Sequence, residues 1–398
     1  MHPRNVSEPE RSSDGTVGPR RRINVVEGQL ICPSNRVADL TRVFGAAAPV
    51  RPLAQFTPGK QAAASLTLVE VGGPTPILQQ LELLAAKDAT LFAVVTANYI
   101  LQPWVSSGGD GVPKPTDRTP PIGDFAGDGK VVVFDSGLLV NYEDGHPYLA
   151  HVDPAGVADL IPLPAAGAPM GLFDCHGMFV SGVLACAAPA AHVVVRRVFD
   201  VTGGVDDWTL SNAIDNYLHD HSEVRLVNLS CGTFADPQHA PAALQLMIQT
   251  HGNVLFVAAA GNVSGGTPQL PAYPAAFPEV VGVGAVDSAG HPTTFSDSLS
   301  TDVLALGQAV DNAFGAGTVA NDVIKAGPFT RSATWSGTSF AAPLVCAALL
   351  EFMAAPPQDV ALATAAVDWL AARFPSLDDK PVVPAPIRVQ GHVAPPGG

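Results

Sequence analysis

Four residues of this chain carry side chains that together can transfer an acyl group: Asp135, His176, Asn262 and Ser339. Asp135 directly follows the apolar run Val131-Val-Val-Phe134 and precedes Ser136-Gly137. His176 stands in Asp174-Cys-His-Gly-Met-Phe-Val-Ser-Gly182, at the head of an apolar segment rich in small residues. Asn262 closes Ala258-Ala-Ala-Gly-Asn, and Ser339 lies in Ser336-Gly-Thr-Ser-Phe-Ala-Ala-Pro343, which opens a long apolar helix. Taken singly, each fits a plain structural role: a turn Asp, a structural His, a turn Asn, a helix-capping Ser. Taken together they meet the needs of peptide acyl transfer. A serine hydroxyl becomes a useful nucleophile when an imidazole accepts its proton. The imidazole needs a carboxylate to fix its tautomer, and the developing oxyanion needs a preplaced donor such as an Asn amide. A serine at a helix N-terminus also gains backbone N–H groups and the positive end of the helix dipole.

Such groups must sit where strands end and helices begin, as in open parallel sheets. Continuous apolar runs at Val131–Phe134, His192–Val195, Leu226–Leu229, Val254–Ala258 and Val280–Val286 read as strands buried on both faces. Helical segments at Gly177–Ala187, Trp208–His221 and Pro241–Thr250 alternate with them, which predicts an α/β domain over residues 130–379. Ahead of it, residues 23–104 predict a small α+β unit. Its strands are expected at Ile23–Cys32, Val50–Phe56, Ala64–Val71 and Thr90–Leu101, with helices at Arg36–Ala47 and Ile77–Lys87. The order β-α-β-β-α-β is that of a ferredoxin-like sandwich. Residues 1–22 read as a flexible lead, 105–129 as a Gly/Pro-rich linker and 380–398 as a Pro-rich extended tail.

The motifs Asp135-Ser-Gly, His176-Gly-x-x-Val-Ser-Gly, Ala260-Gly-Asn262 and Gly337-Thr-Ser-Phe-Ala-Ala-Pro343 resemble those of the subtilisin-like serine proteases, the peptidase S8 family. The likeness runs from about Lys130 to Met353 and includes Tyr273-Pro-Ala-Ala-Phe-Pro-Glu-Val-Val-Gly. It implies a serine endopeptidase in which Asp135 orients His176, His176 serves as base and then acid, and Ser339 attacks. Asn262 and the Ser339 N–H would then hold the oxyanion; these roles are the family's own, carried over residue by residue. The resemblance further implies pocket walls at Ser230-Cys231-Gly232 and Ala259-Ala260-Gly261, a pocket floor at Ala272, and a substrate-pairing edge at Gly203-Gly204. Small residues at these places leave room for a large apolar P1 side chain. It also gives residues 23–104 a meaning as a zymogen prodomain that guides folding and inhibits through its last strand. With Leu101 at P4 and Trp104 at P1, the scissile bond falls between Trp104 and Val105. The alternative is a unit that stays attached as a regulatory domain.

Departures from the family pattern bear on cofactors. Met178 stands where Thr is usual, and Gly182–Pro189 runs on without the calcium loop of secreted members. Tyr148 occupies the place of an acidic ligand, so no metal or other cofactor is expected. Composition narrows the partners. The chain has 398 residues, 47% hydrophobic and 14% charged, with a net charge of −15, which disfavours disorder and nucleic-acid or anionic-membrane binding. No apolar run reaches the ~18 residues of a membrane span. The expected partners are a peptide or protein substrate and the N-terminal unit itself. Met1–Arg22 lacks the apolar core of a secretion signal, and Cys32, Cys175, Cys186, Cys231 and Cys346 form no CxxC pair. A cytoplasmic location is expected, with Cys175 and Cys231 the thiols nearest the chemistry. Three rival readings fit less well. A catalytically dead binding module would lack a triad member. A dinucleotide site would need more than Gly282-Val-Gly284, and an aspartate phosphatase would want an acid where Gly137 stands.

Overall fold

A computed structural model describes residues 23–45, 48–58, 64–104, 111–165, 167–200, 202–262, 270–320, 328–357 and 361–385. The expected lead 1–22, Val105 and most of the tail lie outside them.

The N-terminal unit comprises β1 (Val25–Pro33), α1 (Val37–Phe44), β2 (Val50–Phe56), β3 (Leu66–Val71), α2 (Ile77–Lys87), α3 (Ala89–Phe92) and β4 (Thr96–Pro103). Its strands lie in the antiparallel order β4-β1-β3-β2. Pro76 precedes α2, and the free Ile77 N–H donates to the Glu27 carboxylate at 3.1 Å, so β1 caps this helix. The last strand begins later than the expected Thr90. Asp88 accepts from the Leu91 N–H at 2.9 Å and starts the short helix α3, because a side chain that can bond its own downstream N–H favours a helical turn over extension.

Residues 130–383 are built on a nine-stranded sheet among the described residues. Their elements, in chain order, are β5 (Lys130–Asp135), β6 (Val152–Pro154), α4 (His176–Ala187), β7 (His192–Arg197), β8 (Val205–Asp206), α5 (Asp207–Asp220), β9 (Leu226–Leu229) and β10 (Cys231–Phe234). There follow α6 (Ala242–Thr250), β11 (Leu255–Ala259), β12 (Ala272–Tyr273), β13 (Val280–Val286), β14 (Val303–Leu306), α7 (Thr338–Met353), α8 (Leu362–Ala371) and β15 (Lys380–Val383). The strand order β15-β14-β13-β11-β9-β5-β7-β6 is parallel throughout, with Ser376–Leu377 adding an antiparallel edge beside β15. Val131 to Phe134 and all of β11 and β13 are buried, as strands covered on both faces must be. Every residue of α4 is buried too. Its Gly177 is required there, since a Cβ at that position would lie 2.6 Å from the Gly137 carbonyl oxygen.

Two further boundaries differ from expectation. Lys380–Val383 belongs to the sheet rather than to a tail, with Val382 opposite Leu304. Pro381 has no N–H for a ladder and is tolerated because β15 lies near the sheet edge and Pro381 is close to its start. The linker also packs: Lys114–Pro115 pairs with Phe329–Trp335, and the Gly123 N–H donates to the Cys186 carbonyl at 2.7 Å.

The N-terminal unit docks through β4 and α3. Phe92 lies 4.1 Å from the His239 ring, whose Nδ1 hydrogen-bonds the Val95 carbonyl at 3.0 Å. Asn98 donates to Asp206 at 2.9 Å and accepts from the Trp208 N–H at 3.1 Å, capping the first turn of α5 from the other unit. Beside this contact, Asp207 is fully buried and accepts from the Leu244 N–H at 2.8 Å and the Ala243 N–H at 3.2 Å. Burial pushes its carboxyl up to about 7, against the lowering effect of those N–H groups. Because the folded value exceeds the unfolded one, the native protein holds a proton that the unfolded chain has already lost. Stability therefore falls as pH rises from about 5 to about 8, by on the order of 2 kcal/mol from this group. Asp207→Asn should flatten that slope. Melting temperatures measured across the range check it, and an equally steep slope in the variant would refute the assignment.

Candidate active site

The end of β5 and the start of α4 bring the first two groups together. His176 Nδ1 lies 2.8 Å and 2.9 Å from the two oxygens of Asp135. Both side chains are almost wholly inaccessible, at 1% and 0%. The Ser136 N–H donates to Asp135 at 2.6 Å, and Ser136 Oγ accepts from the Gly177 N–H at 2.9 Å, so the turn after β5 is tied to the head of α4. With both carboxylate oxygens of Asp135 set against Nδ1, the other ring nitrogen, Nε2, is the one left to face the rest of the site. That Nε2 is buried and has no hydrogen-bond partner. Trp335 and Phe340 pack on the ring at 5.5 Å and 5.6 Å, holding its plane.

Ser339 is the second residue of α7 and is fully buried. Pro343, four residues on, has no N–H to give the Ser339 carbonyl, so the ordinary helical bond is missing. Ser230 Oγ supplies the donor instead, at 2.8 Å. Ser339 Oγ in turn donates to the Ser230 carbonyl at 3.0 Å. The hydroxyl is thus turned towards Ser230, and its recorded bond is to that carbonyl, not to His176. Asn228 Nδ2 donates to Ser230 Oγ at 2.9 Å and steadies the pair from β9.

Asn262 follows β11. Its Oδ1 accepts from both the N–H and the hydroxyl of Thr338 at 3.0 Å, which aims Nδ2 outward. Nδ2 donates to the backbone carbonyl of Trp104 at 2.7 Å. Strand β4 reaches this point by running antiparallel between two edges: Leu101 pairs with Val205 of β8, and Gln102 and Pro103 pair with Gly232 and Cys231 of β10. The pairing edge expected at Gly203-Gly204 is centred one step later, on Val205–Asp206. Gly203 takes a positive φ of 79° in the turn that leads in, and Gly204 lies against Ile100 and Gln102.

The Trp104 side chain lies beside Gly232 and Gly261 and reaches the Ala259 carbonyl. A Cβ on Gly232 would stand 2.6 Å from the indole, so only glycine leaves it room. Trp104 Nε1 donates to the Ala259 carbonyl at 3.3 Å. Ala260 is buried beneath, its N–H bonded to the Val283 carbonyl at 2.9 Å. Sequence reasoning overlooked Phe234, whose ring lies 4.7 Å from the indole at 52°, and Thr338, which orients Asn262. Thr338 sits inside the Gly-Thr-Ser motif and was legible there. Phe234 carried no signal in the sequence, since its role needs residue 104 beside it.

Residues 129–369 match the family model described as the subtilase family, more than half of the chain. The chain belongs to the subtilase family. This subtilase is 28% identical over 231 residues to subtilisin of Bacillus pumilus, covering 55% of this chain and 74% of that protein. Subtilisin E of Bacillus subtilis (strain 168) gives the same identity and length but is covered over 54% of its own length. An intracellular serine protease of Paenibacillus polymyxa is 28% identical over 191 residues, 44% of this chain and 53% of that one. Thus the match spans only about half the length of several curated relatives. Among solved structures, a mutant of the protease domain of PatA is similar at a TM-score of 0.48 and 23% identity, over 65% of this chain and 92% of that one.

The five cysteines of the subtilase are free and buried. Burial pushes the Cys175 thiol up to about 12 and the Cys231 thiol higher still, so neither is a thiolate nucleophile near neutral pH. The Tyr148 hydroxyl hydrogen-bonds His146 Nδ1 at 3.1 Å. Among the described residues no cluster of three or more His, Cys, Asp or Glu could hold a metal, and no helix is long and apolar enough to cross a membrane.

Proposed function

We propose that the chain is a serine endopeptidase whose N-terminal unit is its own prodomain and inhibitor. Asp135 holds His176, and Ser339 swings from Ser230 to give its proton to His176 Nε2 as Oγ attacks the P1 carbonyl carbon. Asn262 Nδ2 and the Ser339 N–H receive the oxyanion. Collapse breaks the C–N bond, with His176 returning the proton to the leaving amine, and water then releases the acyl group by the same steps. The observation that carries this reading is the Trp104 carbonyl on Asn262 Nδ2 at 2.7 Å, with the preceding strand paired on both sides. A cleaved P1 carbonyl would rest in the same way after peptide hydrolysis. Support for the prodomain role comes from the strand order β4-β1-β3-β2, which is ferredoxin-like, and from Leu101, fully buried at the position expected for P4. Five unpaired buried thiols fit a reducing compartment, and the proposal includes a cytoplasmic location.

Intact-mass analysis tests the processing step. The purified wild-type chain should show a new N-terminus at Val105, while Ser339→Ala stays full length. Full-length wild type that hydrolyses peptides would retire the cleavage at Trp104 and leave the unit as a standing regulatory domain.

A further inference from the structure

Trp104 meets more than a large apolar hollow. The Phe234 ring packs against the indole at 4.7 Å and 52°, a tilted aromatic contact. Opposite, a single acceptor, the Ala259 carbonyl, takes the indole N–H at 3.3 Å. Ala272 and Gly261 keep the floor open: a Cβ on Gly261 would meet Ala272 at 3.2 Å, the indole at 3.4 Å and Phe234 at 3.5 Å. The indole therefore meets a ring with its own ring and a carbonyl with its N–H, two contacts that neither an aliphatic side chain nor phenylalanine makes together.

We propose that Phe234 and the Ala259 carbonyl make this subtilase selective for tryptophan at P1. Phe234 is the specificity-determining residue, and the carbonyl separates indole from phenyl. The inference rests on the reading of the site as a protease and of Trp104 as its P1 residue. Aliphatic P1 side chains lose the ring contact, and phenylalanine keeps it but leaves the carbonyl without its donor. An aromatic pair adds a factor of roughly two to ten beyond buried area, and a lost hydrogen bond about as much again.

The test is hydrolysis by the full chain of peptides Leu-Gln-Pro-X-Val-Ser with X as Trp, Phe or Leu, compared as ratios of kcat/KM within one preparation. Such ratios do not depend on the fraction of enzyme that is free of its N-terminal unit. Wild type should prefer Trp over Leu by about 10- to 100-fold and over Phe by about 3- to 10-fold. Phe234→Leu, which keeps an apolar side chain at that place, should shrink the Trp:Leu ratio by about two- to tenfold, and Phe234→Ala by at least as much. Ser339-dependent hydrolysis with equal rates for Trp and Leu, or a Trp:Leu ratio untouched by Phe234→Leu, overturns the selectivity while leaving the protease reading standing. No Ser339-dependent hydrolysis of any peptide removes the protease reading, and the selectivity with it.

Discussion

Ser339→Ala should lower kcat for peptide hydrolysis by about 10⁶-fold, the size this loss has in subtilisin itself, while the protein stays folded. The large effect follows from chemistry without a substitute, because alanine leaves no hydroxyl at position 339 to attack the P1 carbonyl. The small effect on stability follows from the local bonding. The bond from Ser230 Oγ runs to the Ser339 backbone carbonyl, which alanine retains. Only the donation from Ser339 Oγ to the Ser230 carbonyl is lost, a change of about 1 kcal/mol. Turnover of a peptide pool and a melting curve, measured side by side, check both halves. Unchanged hydrolysis would refute Ser339 as the nucleophile, and a collapsed melting temperature would show that the hydroxyl is structural.

Asn262→Ala should cost about 10²–10³-fold in kcat, again subtilisin's own figure for this donor, with KM little changed because the bond strengthens as charge develops. In this chain the same amide holds the Trp104 carbonyl, so the variant should also bind its N-terminal strand more weakly. Asn262→Asp is the sharper probe. It keeps an oxygen for the Thr338 N–H and hydroxyl but replaces the outward donor with an acceptor, opposite a developing anion. Its kcat should fall at least as far as that of the alanine variant. Thr338→Val removes one of the two bonds that aim the amide and should cost roughly tenfold. Steady-state kcat and KM for the three variants decide; an Asp variant faster than the Ala variant would mean that the amide donates nothing in the transition state.

Local pattern made much of the architecture legible. Val131–Phe134 and Val280–Val286 read as doubly buried strands because an apolar run leaves no face for water, and they are strands. The short helix at Ala89–Phe92 was equally local, signalled by Asp88, yet the β-rich residues after it pulled the expected strand too far forward. Lys380–Val383 is a different case. Pro381, with the prolines that follow the strand, matches a tail by composition, and only Val303–Leu306 lying alongside makes it a strand.

The chain order of Asp135, His176, Asn262 and Ser339, with the glycines and small residues around them, marked the groups proposed to react because acyl transfer admits few side chains and those motifs place them at strand ends and helix starts. Tertiary structure alone decided which way they face: the Ser339 hydroxyl towards Ser230, the Asn262 amide onto Trp104, Phe234 against the indole. Each of those contacts joins residues about a hundred or more positions apart. Side-chain direction across such a gap is set by how packed layers meet, and no run of neighbouring residues encodes that.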